Sequence, residues 1–193
     1  MPHLPGSLAW QGVASHSTVL DYHLGMLHDA ARMEGFRRAI DATVRPGDVV
    51  LDLGCGTGVL SFMACEAGAS KVYAVEGGPV IDVARELAVA NGFEDRIEFL
   101  RGWSMELGLP EPADVLISET IGNAGFNEGI VAWAFDARQR LLRPGAALIP
   151  QRLRLWVTPV ENFEDHELVS GWQSPHLPYD FTAASERAAC TLW

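Results

Sequence analysis

Apolar and polar residues change their period along this chain, and each change marks an element. Residues 18–43 carry a helical period. Leu20, Leu24, Leu27 and Ala31 share one face, and Met33, Phe36 and Ile40 continue a neighbouring stripe. Pro46-Gly47 then signals a turn. From there short apolar runs alternate with helical stretches. Strands are predicted over 48–53, 71–75, 96–100, 114–118 and 146–149, and helices over 58–67, 79–91 and 127–142. Gly92 suits a helix C-cap, and Pro144-Gly145 closes the last helix before the fifth strand. Strands alternating with helices imply an α/β, doubly wound, mostly parallel sheet with helices on both faces. The first 15 residues look irregular. After Pro150 the style changes: residues 153–158 alternate apolar and polar side chains, as a half-exposed antiparallel strand would. Three parts follow: helices capping the front over 1–45, a Rossmann-like domain over 46–150, and a short β-rich C-terminal extension or truncated substrate domain over 151–193.

At 193 residues and 48% hydrophobic, the chain can bury a core of its own. A formal net charge of -11 argues against a basic face for nucleic acid, so no nucleic-acid partner is expected. No apolar run is long enough to span a bilayer, and the N-terminus has no signal-peptide pattern. Cys55, Cys65 and Cys190 form no disulfide framework, which fits a reducing, cytoplasmic setting. The six histidines and these cysteines show no metal-ligand spacing, so no metal is expected.

The chemistry begins where the first strand runs into Asp52-Leu53-Gly54-Cys55-Gly56-Thr57-Gly58. Glycines permit a tight turn and let a ligand lie against bare backbone. The dinucleotide fingerprint G-x-G-x-x-G would put its third glycine at 59, which is Val59. The glycines fall instead at 54, 56 and 58, after the acid at 52. Glu76 ends the second strand, where a carboxylate can accept both hydroxyls of a ribose.

The D-x-G-x-G-x-G form resembles motif I of class I methyltransferases, whose cofactor is S-adenosylmethionine and whose product is S-adenosylhomocysteine. Three stretches together resemble the protein arginine methyltransferases. Met26-Leu27-His28-Asp29-Ala30-Ala31-Arg32 is similar to the family's N-terminal Met-Leu-x-Asp-x-x-Arg. Residues 50–76 resemble its motif I and following acid. Ser118-Glu119, with Gly122 and then Glu128 nine residues after the first glutamate, is similar to its double-glutamate loop. The resemblance covers roughly residues 20–160.

The resemblance implies roles. Arg32 would pair with the cofactor's carboxylate and Met26 would line the pocket near the reacting methyl. Asp52, Gly54, Cys55, Gly56, Gly58 and Glu76 would form the loop and ribose site, with Ser104 and Met105 beside the adenine. Glu119 and Glu128 would clamp a guanidinium and orient one nitrogen. The implied activity is transfer of a methyl group to nitrogen, with a protein arginine as leading acceptor. A small-molecule or amino-acid methyltransferase of the same fold stays open, as does a cofactor-binding module that is inactive without a missing substrate domain. A homodimer is compatible with the resemblance.

Departures are specific. Thr120-Ile121 stands where the family carries bulky residues, and Gly25 where it has a glutamate. Met105 occupies the place of a family glutamate near the adenine, with Glu106 one position later. The family's Thr-His-Trp loop and dimerisation arm have no counterpart. Trp103 could cover the adenine, or sit as a rim aromatic. His23, one turn before Met26, reads more simply as a packed or solvated imidazole.

Overall fold

The computed structural model describes residues 16–122, 125, 128–159, 167, 171–173 and 179–189. The elements are α1 (His16–His28), α2 (Ala30–Thr43), β1 (Val49–Leu53), α3 (Val59–Glu66), β2 (Lys71–Glu76), α4 (Val80–Ala90), β3 (Ile97–Arg101), β4 (Ala113–Ser118), α5 (Ile130–Arg140), β5 (Leu142–Ile149) and α6 (Thr182–Ala189). The five strands form one parallel sheet in the order β3-β2-β1-β4-β5. The chain divides into a unit ending at Arg154 and a smaller unit from Leu155 onward.

β1 is central and wholly buried. Side chains alternate across a strand, so the two faces of β1 feed two different cores. Val50 joins Val72, Ala74, Val115 and Ile117 under Ile40 and Val44 of α2 and its C-cap, and under Leu60, Met63 and Ala64 of α3. Val49, Leu51 and Leu53 join Tyr73, Val75 and Leu116 under Ala137 of α5 and the adjoining Leu141. Burial on both faces explains why these strands read as continuous apolar runs rather than alternating ones.

Three expectations need correction. The long helix over 18–43 is two helices. Asp29 leaves helical geometry (φ -73°, ψ 88°) and its carboxylate accepts the backbone N–H of Arg32 at 3.0 Å, capping α2. A side chain that bonds its own backbone in this way competes with an uninterrupted helix. Consequently Met33 and Phe36 pack on the core, whereas Leu20, Leu24 and Leu27 of α1 are exposed. Second, β5 begins at Leu142 rather than after Pro144-Gly145. Its ladder on β4 passes from Ala113–Leu142 to Val115–Ala147, so Pro144 and Gly145 (φ +84°) bow out in an irregularity. An edge strand tolerates this, because its proline has no ladder bond to lose. Third, residues 153–158 are irregular, with Leu155, Trp156 and Val157 exposed. Alternation alone makes no strand without a partner to take its hydrogen bonds. Among the described residues of the smaller unit the regular elements are helical: α6 and a 3-10 turn at Gly171–Gln173, with Trp172 6.2 Å from Phe181. The start of the helix expected over 127–142 falls partly outside the described residues. α5 itself opens after Gly129 (φ +88°).

One polar group lies in the core. Asp52 of β1 is 0% exposed; the Ser61 hydroxyl donates to its Oδ2 at 2.6 Å, while Oδ1 has no partner among the described residues. Burial pushes its pKa up to about 7, Glu76 pushing the same way and the Ser61 hydrogen bond opposing.

Two outcomes follow. Leu51→Ala, at a 0% exposed site in β1, should cost about 2–5 kcal/mol in denaturant unfolding; a loss under about 1 kcal/mol would contradict the central place given to β1. The second concerns pH. With a folded value about 7 and an unfolded one near ~3.9, the folded chain holds the extra Asp52 proton between those limits. That stability is fully present below roughly pH 4 and is lost as pH rises through the folded value, by at most about 4 kcal/mol. Urea unfolding at several pH values should show Asp52→Asn flattening this fall; equal slopes for variant and parent would show that Asp52 is not its source.

Candidate active site

β1 and its neighbours β2 and β4 lead to opposite sides of the sheet, so a crevice opens at their C-terminal ends. The glycine turn lies in it. Gly54, Gly56 and Gly58 take φ of +72°, +53° and +84°, a region that residues with a Cβ avoid. The N–H groups of Gly54 and Cys55 both donate to the Val75 carbonyl, at 2.9 and 3.0 Å, which ties the turn to β2. A Cβ on Gly54 would lie 2.5 Å from the Thr120 methyl, and one on Gly56 would lie 2.7 Å from the His23 ring.

The turn floors a cavity of about 290 Å³. Gly54, Cys55, Gly56 and Glu76 line it from the sheet edge, Met26 and Arg32 from the helices in front, Ser104 from the turn after β3, and Glu119 and Glu128 from beyond β4. Three sequence-expected residues do not reach it. Asp52 is buried beneath the turn, Gly58 serves as the N-cap of α3, and Met105 is 48% exposed and outside the lining. The backbone accounts for Met105. Ser104–Glu106 is a 3-10 turn whose Ser104 is buried, leaving its successor outward.

Each polar group is held. Glu76 accepts the Gly56 N–H on Oε2 at 3.1 Å and the Gly78 N–H on Oε1 at 2.6 Å, so two backbone donors fix its plane. Each carboxylate oxygen keeps a further lone pair for a ligand hydroxyl. Arg32 lies between two acids, its Nε 3.3 Å from Asp29 and its Nη1 3.6 Å from Glu119. Glu119 follows directly on β4, whose end is fastened to β1 by the Ser118 hydroxyl donating to the Leu53 carbonyl at 2.9 Å. Burial raises the Glu119 pKa; Arg32 opposes, and Glu128 and Asp29 add to the rise. Glu128 is exposed at the mouth. Arg140 donates to the Ser104 and Leu107 carbonyls, both at 2.9 Å, and so pins the turn after β3 to α5. The Cys55 thiol is buried and its pKa is pushed far up by burial, so it lines the cavity as an inert group.

Several lining residues were not singled out as ligands from the sequence. Tyr22 and His23 stand one turn before Met26, and helical spacing from Met26 was the available signal. His23 is half-buried against the turn, and burial lowers its pKa with Glu76 opposing. Burial raises the Tyr22 pKa, and Glu128 and Glu119 add to it. Thr120 stood out in the sequence only as a departure from the family's bulky residues, and Trp133 carried no sequence signal for the site.

Known proteins resemble the chain over this region. The family model of ribosomal protein L11 methyltransferase (PrmA) matches residues 35–126. The ribosomal protein arginine N-methyltransferase rmt3 of Schizosaccharomyces pombe is 40% identical over 147 residues, which is 75% of this chain and 27% of that protein. The Trypanosoma brucei PRMT1 enzyme–prozyme heterotetrameric complex with AdoHcy superposes with a TM-score of 0.73 at 30% identity, covering 86% of this chain and 53% of that one. The protein arginine methyltransferase 10 of Arabidopsis thaliana superposes with a TM-score of 0.75 at 27% identity, covering 89% and 55%. The chain thus spans less than half the length of the curated relatives it matches. It has the class I methyltransferase fold, and over about three quarters of its length it is similar to the protein arginine methyltransferases.

Proposed function

We infer that this chain binds S-adenosylmethionine and methylates a nitrogen, with the guanidinium of a protein arginine as acceptor. The observation that carries this is the convergence of two carboxylates, Glu119 and Glu128, on the cavity that the glycine turn and Glu76 enclose. The residues suit the cofactor. Gly54 and Gly56 line the cavity with bare backbone, and Glu76 presents a fixed acceptor pair. Arg32 offers a guanidinium fork on the same wall for a carboxylate. When bound, the cofactor supplies an electrophilic methyl group on a sulfonium.

The chain's own task is alignment. A protonated guanidinium is a delocalised cation with no free lone pair. Glu119 and Glu128 hold it from two sides, draw its charge toward their own ends, and turn one nitrogen toward the cavity. Glu119 is the more enclosed of the two, and its raised pKa suits it to take up the released proton. On this reading α1 and α2 serve as a cap over the cofactor, the unit over 46–150 binds it, and 151–193 belong to an extension or part of a substrate domain. A cytoplasmic setting agrees with the free, buried thiols of Cys55 and Cys65. Among the described residues no helix is long and apolar enough to cross a membrane.

Purified chain, methyl-labelled cofactor and an extract separated by size test the reading. Label should appear in the macromolecular fraction and be recovered as methylarginine; label confined to small molecules would overturn the acceptor. Glu119→Gln should lower kcat/KM by about 10²-fold or more, with much less change in cofactor affinity; unchanged turnover would remove the clamp. The clamp requires charged Glu119, and its pKa is raised. The rate should therefore climb with pH through a limb above the ordinary glutamate range. A limb at ordinary glutamate values would assign that titration elsewhere.

A further inference from the structure

The C-terminal edge of the sheet orders the site by strand: Trp103 and Ser104 after β3, Glu76 on β2, the glycine turn on β1, Glu119 after β4. Three strand spacings make roughly 14 Å. The end near β3 therefore lies far from the two glutamates, beyond the carboxylate suited to a sugar. It is an aromatic corner. Trp103 is 58% exposed although it faces the cavity, and its ring passes 3.7 Å from where a Gly77 side chain would begin. Trp133 meets it from α5, the ring centroids 6.4 Å apart and the planes tilted by 45°. α5 reaches across because it runs from Ile130, two residues after Glu128, to Arg140, which pins the Ser104 turn. Eleven residues of helix span roughly 16 Å, enough to join the two ends of the site.

Among the described lining residues the carboxylates are Glu76, Glu119 and Glu128, and none belongs to this corner. Met105 and Glu106, the residues nearest in sequence that the family resemblance would send to the base, are both exposed and outside the lining.

We propose that Trp103, backed by Trp133, is the residue that holds the nucleobase, and that the site takes a purine by stacking without a carboxylate reading its exocyclic amino group. The ligand class follows: adenosyl sulfonium and thioether nucleosides with a substituted N6 bind as well as the parent. A carboxylate accepting from N6 would reject such substitution, since an added alkyl group removes a donor and crowds its partner. A stacked face is indifferent to it, every base having a π-face.

This rests on the cofactor reading above, and calorimetric titration of the chain with S-adenosylhomocysteine and its N6-methyl derivative separates the two. The two nucleosides should bind within about fivefold of each other. Trp103→Ala should weaken both by about tenfold or more with their ratio unchanged, and Trp103→Phe should recover most of the loss. Unchanged far-ultraviolet circular dichroism would show each variant to be folded. An N6-methyl derivative bound fiftyfold more weakly overturns the proposal while leaving the cofactor site intact, as does a folded Trp103→Ala variant that binds normally. Failure of the parent chain to bind either nucleoside overturns both.

Discussion

The turn that the chain makes on leaving β1 sets the position of everything else at the site. Three alternate residues there are left-handed, and each is glycine. The turn has to be this tight because it is enclosed: the Val75 carbonyl holds it from β2, Thr120 presses on Gly54 from β4, and His23 presses on Gly56 from α1. A side chain at either glycine would displace a neighbour that itself faces the cavity. Backbone exposure toward a ligand and close approach of the cavity walls thus come from one local geometry. The parallel sheet fixes where that geometry sits, between the strand that carries Glu76 and the strand that leads to Glu119.

Charge is distributed with the same economy. Among the described lining residues Arg32 is the one permanent cation, against Glu76, Glu119 and Glu128, with Asp52 underneath. It is shared. Asp29 both caps α2 and pairs with the Arg32 guanidinium, so the cap that breaks the long helix also aims the arginine. Glu119 takes its other end at 3.6 Å, a loose contact for an ion pair. A carboxylate ligand competing for Arg32 would leave Glu119 with less positive charge beside it and more attraction for a cationic acceptor. The electrostatics therefore couple the two halves of the site through one side chain.

The parts legible in the sequence were those governed by local rules. Continuous apolar runs identify strands buried on two faces, and the glycine spacing at 54, 56 and 58 identifies the turn because left-handed backbone excludes most other residues. The double-glutamate spacing was legible only by resemblance, since a nine-residue separation matches no helix or strand period. What stayed hidden depended on tertiary partners. The helical pattern runs through Asp29 without marking it as a cap, and it places Leu20 and Leu24 on one face with Ala31 although the helix breaks between them. Residues 153–158 have strand alternation, but among the described residues they join no ladder. Met105 was assigned to the site by position in a motif, whereas the 3-10 turn buries Ser104 and sends Met105 outward.

The same distinction bears on the small residues after Glu119, where the family resemblance leads one to expect bulky ones. Thr120 could be taken as making room for a different acceptor. Its surroundings give it another cause. It is buried, its hydroxyl lies 2.9 Å from the Ser118 hydroxyl, and its methyl packs directly over Gly54. A larger side chain in this rotamer would collide with the glycine turn, so the residue's size is set by the floor of the cavity. On the proposed reading, the acceptor's charge would be met by Glu119 and Glu128, whose positions depend on the end of β4 and the start of α5 rather than on residue 120. A threonine at this place is therefore compatible with the proposed guanidinium clamp, and the departures that bear on the proposed ligand lie at the opposite end of the site, around Trp103.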